Sequence, residues 1–186
     1  MIGPTTATAT FTSDTHMHNK EDFKLAFKNI YHFECFDSEG NLKWEETVKN
    51  LVVNVGLDDI LDKYYKGSTY TAAHYVGLVS ATPTIAAADT MASHAGWTEI
   101  ADYSESVRQT LTLGTVSSQS VSNTASKAVF SINGTASVGG AFVTTNDTKS
   151  GTTGTLVGAA AFTTGNRSVL SGDTLNVTVT LSAAAA

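Results

Sequence analysis

The side chains that could do chemistry lie in three places along the chain. His16 and His18 stand two residues apart with Asp14 close by. In an extended segment that spacing turns both imidazoles to one side, which suits a metal ion shared between subunits at a symmetry axis. The plainer reading is a polar patch in a segment without a core, and short histidine motifs carry little specificity. No metal and no cofactor is therefore expected, and His16 and His18 are kept only as candidate ligands. Cys35, with His32 nearby, is the second place. A cysteine nucleophile needs a base within reach, and three residues along a strand put two side chains on opposite faces. The thiol is expected to pack as a small hydrophobe.

Asp89, His94, Glu99, Asp102 and Glu105 form the third place, an acid-rich stretch with the composition of a cation site or a hydrolase. Catalysis would need a nucleophile, or two carboxylates of tuned acidity in one pocket. The chain carries no nucleophile elbow, no HExxH and no glycine-rich phosphate loop. Solvated loop charge accounts for the stretch, and no catalytic residue is assigned. Trp97, in His94-Ala-Gly-Trp97, is either a sugar-stacking platform or a ring closing one end of a sandwich core; the core is the expected place.

The elements that must position these residues read as mainly β. Ile30–Phe36 and Leu42–Val48 flank the turn residues Asp37-Ser-Glu-Gly-Asn41 and predict a hairpin. Leu57, Ile60, Leu61 and Tyr64 fall at helical spacing and predict one short helix over about 57–66. Asp58 and Asp59 suit its first turn, Lys63 and Lys66 its last, and Gly67 its end. From Tyr75 on, short apolar or alternating runs alternate with turn signals. The expected strands are 75–79, 98–103, 107–113, 128–132, 136–144, 155–162 and 174–181. The last, TLNVTVTL, alternates strictly, so Leu175, Val177 and Val179, or else the alternate set, should face a core. Such spacing predicts a sandwich or a jelly-roll-like β-barrel. Residues 1–29 have no core-forming apolar period and read as an extended N-terminal arm. Residues 30–182 then form a single domain, with 183–186 as a tail.

Composition narrows the function. Net charge is −6 with a pI near 5.2, and no Lys/Arg cluster is present to neutralise phosphates, so no nucleic acid is expected. Charged residues make up 15%, below the roughly 25% of an average domain. Residues 109–186 hold only Lys127, Asp147, Lys149, Arg167 and Asp173, among many Thr, Ser, Ala and Gly. A surface so poor in charge invites association unless neighbours cover it, which predicts a symmetric homo-oligomer. One cysteine excludes an intrachain disulfide. The first twenty residues lack the pattern of an export signal, and no apolar run is long enough to span a membrane.

Several phrases, in order, resemble a family of small structural proteins of tailed bacteriophages. They are Asn50-Leu-Val-Val-Asn54-Val-Gly-Leu-Asp58, the stretch YVGLVSATPTIAAADTMASHAGWTEIADYSES at 75–106, Ser131-Ile-Asn-Gly134, GGAFVTT at 139–145 and Ser171-Gly-Asp-Thr-Leu175. The resemblance runs from about Phe33 to Leu181 and leaves out the first 30 residues. It implies a virion part assembled in the host cytoplasm, with the major capsid protein or other virion subunits as partners and no enzymatic activity. A capsid decoration (cement) protein, trimeric at lattice threefold sites, is the leading expectation. A head–tail connector, tail or fibre-base component is the alternative within virions. A host-glycan receptor-binding module is the alternative from another class.

Overall fold

The computed structural model describes residues 25–70 and 73–185. Two antiparallel sheets pack face to face as a β-sandwich. The first has the order β2 (Leu42–Lys49), β1 (Leu25–Phe36), β12 (Thr174–Ala185). On the far edge of β12, β8 (Ala128–Ser131) pairs with its first half and β7 (Ser120–Ser122) with its second. The second sheet runs β3 (Leu51–Val52), β10 (Leu156–Ala161), β9 (Ala136–Thr144), β4 (Tyr75–Ser80), β5 (Glu99–Ile100). There β11 (Arg167–Val169) extends the β10 edge of β9, and β6 (Gln109–Thr110) pairs with β4.

Alternation explains the first sheet. Tyr31, Phe33 and Cys35 of β1 are fully buried while Ile30, His32 and Glu34 are not. On β12, Leu175, Val177 and Val179 are fully buried, the set expected from the strict alternation. These side chains meet Val76, Leu78, Ala141, Val143 and Ala160 of the second sheet in one core, with the Phe162 ring edge-on to Phe33 at 4.7 Å. The β1–β12 ladder is longer than the expected domain boundaries allow. It runs from Leu25↔Ala185 to Phe36↔Thr174, so residues 25–29 and 183–185 belong to a strand pair and not to an arm and a tail. Backbone pairing carries alanines that give no periodic signal.

The second sheet is buried on both faces, which is why every residue from Val138 to Thr144 is inaccessible. A register shift at Ser80 and Val138 lets Val138 and Ala141 both reach the main core. Phe142 turns the other way. Its ring lies across Gly77, directly opposite in β4, where an added Cβ would sit 2.3 Å from the ring. Residues 81–98 fold over this outer face, building a second cluster of Val53, Val79, Met91, Trp97, Phe142, Leu156 and Ala159. Trp97 is buried as expected, but on the outer face of a sheet and not at the end of the main core.

The helix departs from its pattern. α1 spans Asn54–Ile60 and continues as a π-helical turn, Leu61–Tyr65, before Gly67 ends it in a left-handed conformation (φ 78°). It starts earlier than residue 57, so Asp58 and Asp59 miss the first turn; Asp59 pairs instead with Lys63 and Asp62 with Lys66. The π turn, closed by Lys66 N–H to Leu61 O at 3.3 Å, adds a residue to the turn and breaks the apolar stripe. Leu61 and Tyr64 are consequently 55% and 80% exposed. Strands β3, β7 and β11, of two or three residues, are too short to write a period in the sequence. The expected strands at 98–103 and 107–113 shrink to two residues each.

Candidate functional sites

His16 and His18 lie outside the described residues, as do the first 24 residues of the expected arm. Among the described residues no three His, Cys, Asp or Glu side chains are grouped to hold a metal ion.

The acid-rich stretch disperses into separate structural bonds. Glu99 grips the fully buried Arg108 with both oxygens, Nε to Oε1 at 2.9 Å and Nη2 to Oε2 at 2.7 Å. The guanidinium also donates to the carbonyls of Asn146 and Gly151, and it lies over the Phe142 ring at 5.1 Å. Oε2 of Glu99 accepts the Ser150 N–H as well. Each guanidinium nitrogen thus has a partner, which is the condition for a charge to sit inside at all. Asp89 Oδ2 accepts the Trp97 indole N–H at 2.9 Å and the Ala86 N–H at 3.0 Å. His94 stacks on Trp97 at 3.8 Å and donates to the Trp97 carbonyl through Nδ1. Glu105 accepts the Ser131 N–H. A cleft of about 230 Å³ between Trp97, His94 and Ser150 does open here. Its one carboxylate, Glu99, is held by Arg108.

Cys35 lies under the turn Leu170–Asp173, where Asp173 accepts hydrogen bonds from Leu170 N–H, Lys43 Nζ and the thiol. Burial and then the Asp173 charge push the Cys35 thiol up to about 12. His32 is on the opposite face of β1 and bonds Thr47. The pair cannot act as nucleophile and base.

Sequence reasoning missed two surface features. The first is a groove of about 240 Å³ beside the π turn, lined by Tyr64 and Tyr70 with Asp59, Lys63 and His74. Tyr64 and Tyr65 stand edge-to-face at 5.1 Å, both largely exposed. The helical pattern hid them, because it assigned Tyr64 to a buried stripe. The second is an apolar recess of about 280 Å³ between the overhanging ends of β1 and β12 and the Ile60 end of α1.

The protein is thus an antiparallel β-sandwich in which the buried Arg108 is paired with Glu99. No known protein family, curated protein or solved structure matches the chain. No helix among the described residues is long and apolar enough to cross a membrane.

Proposed function

We propose that this chain is a structural subunit of a tailed-bacteriophage virion, a capsid decoration protein that binds the assembled shell as a homo-oligomer and stabilises it. The sequence phrases that resemble small phage structural proteins supply the class. The observation that carries the reading is the outer face of the first sheet. Along β12 it presents Thr174, Asn176, Thr180 and Ser182, and in register beside them Ser131, Val129, Ser122 and Ser120. This is a stripe of small, uncharged, partly exposed side chains, bordered in register on β1 by Lys28 and by Glu34, which pairs with Lys127. Such a face packs closely against another protein at little desolvation cost, since charged residues are the ones depleted at interface cores. Binding only the assembled lattice stabilises it by mass action, and several weak contacts per oligomer add up through avidity.

The test is particle imaging with a label on this chain. Labels over the whole head support decoration; labels at a single vertex move the chain to a connector or tail role, and absence from particles overturns the virion reading. A glycan-binding module is the second reading. It is favoured by the Tyr64–Tyr70 groove, whose exposed rings could stack on a sugar. Retention of the purified chain on host polysaccharide, lost in Tyr64→Ala, would select it.

A further inference from the structure

The recess at the open end of the sandwich is walled by Phe27, Leu181 and Ala183 on one side and by Val52, Ile60 and Val157 on the other. No charged side chain lines it. An apolar cavity of about 150 Å³ already accepts a benzene ring, so 280 Å³ has room for an aromatic side chain and a smaller neighbour. Above it, β1 meets β2 only from Ile30 onward. Among the described residues, Leu25–Lys28 therefore pair with β12 on one edge and with no strand on the other. A short free strand edge beside an apolar socket is the arrangement that accepts an added strand.

The chain itself carries a segment of matching chemistry. At least 24 residues precede Leu25, and the first thirteen hold no charged side chain. Within them Ala7, Ala9 and Phe11 alternate with Thr8, Thr10 and Thr12, which puts the three apolar residues on one side of an extended chain. Too small to build a core, they suit a pre-formed socket. Residues 14–24 are mostly charged or polar and read as a spacer. Extended, the twelve residues 13–24 that would tether such a segment to Leu25 span about 40 Å at ~3.3 Å each, against a radius of gyration of about 15 Å for a domain of this size. The segment is long enough to leave its own sandwich and reach the next one.

We infer that residues 5–12 of one copy add as a strand to the Leu25–Lys28 edge of a second copy and place Phe11 in the recess. The inference rests on the assembly reading in one respect only, that a second copy is the partner. The exchange itself is what joins copies, so it takes place in the purified chain without particles.

Cross-linking of full-length protein tests it. Native Cys35 is fully buried and stays silent. Val116, 70% exposed on the rim of the recess, and Phe11 are replaced by cysteine in separate chains. Phe11→Cys and Val116→Cys chains are mixed and treated with a short bismaleimide. The expected product is a covalent heterodimer, seen at twice the chain mass in denaturing gels. Replacing Val116→Cys with Leu170→Cys, at the opposite end of β12, should reduce the product at least tenfold. The double variant Phe11→Cys/Val116→Cys should give inter-chain products. If it closes only within one chain, the arm fills its own recess and the inference fails. Equal yields at Val116 and Leu170, or no cross-link in any combination, also overturn it. A heterodimer from a chain absent from virions would leave the exchange standing and sink the virion reading; monomers found all over the capsid would do the reverse.

Discussion

Asn123 takes the place of a strand residue. β7 ends at Ser122 and β8 begins at Ala128, and between their pairings with β12 the Asn123 side chain completes the ladder. Its Nδ2 donates to the Val177 carbonyl at 3.2 Å and its Oδ1 accepts the Val179 N–H at 2.6 Å, all buried. Asn123→Ala strands those two backbone groups, each costing about 1–3 kcal/mol when left unpaired. A loss of ~3 kcal/mol in urea unfolding is expected; a change below ~0.5 kcal/mol would mean that the ladder closes without it. Cys35 gives a second test at this scale. Its thiol is raised from the ordinary 9.0 to about 12 by burial and Asp173. Folded protein at pH 8 should therefore resist thiol reagents that label it at once in denaturant. Because the folded thiol is the weaker acid, its contribution to stability is complete below pH 9 and is lost as the pH rises from 9 toward 12. Cys35→Ala should flatten that alkaline decline. Rapid labelling of the folded chain would contradict the burial.

At the scale of elements, the two faces of β12 should tolerate change unequally. Val177→Asp puts an unpaired charge among Tyr31, Phe33 and Phe130 and should prevent soluble folding, whereas Thr180→Ser, on the open face, should shift stability by less than ~0.5 kcal/mol. Equal tolerance, read by soluble yield and circular dichroism, would deny the half-buried strand. This strand was legible in the sequence because one face is wet, and that wet face writes a period of two. β9 was legible as a run but not as a strand buried on both sides, since the covering loop, residues 81–98, has no period of its own. The helix was half legible: Gly67 marked its end, but a π turn cannot be read from spacing that assumes 3.6 residues. The pairing of the acid-rich stretch was invisible in the sequence. Arg108, outside any strand, pairs directly with Glu99 of β5 and also bonds the carbonyls of Asn146 and Gly151, which lie far away in sequence.

For the whole molecule, the decoration reading predicts a change in the particle and not in any substrate. A ligand at 100 times its dissociation constant adds about 2.7 kcal/mol per site. Particles lacking this chain should release DNA at lower temperature, and purified protein should restore the difference. Unchanged heat tolerance with lost tail attachment would place the chain at the head–tail junction.

The pairing of β1 with β12 has a kinetic consequence. These two strands are the first and last elements described, and they lie side by side within the first sheet with all twelve residues of each in register. Their meeting requires closure of a loop that contains every other described element, from Leu42 to Val169. Closing long loops before any contact rewards them makes folding slow, in the millisecond-to-second range typical of β-sandwiches. On the ribosome the first sheet has nothing to pair β1 with on that side until Thr174–Ala185 has emerged. β1's edge therefore stays open until that strand is out, and a nascent chain stalled before residue 174 should remain protease-sensitive throughout its first sheet.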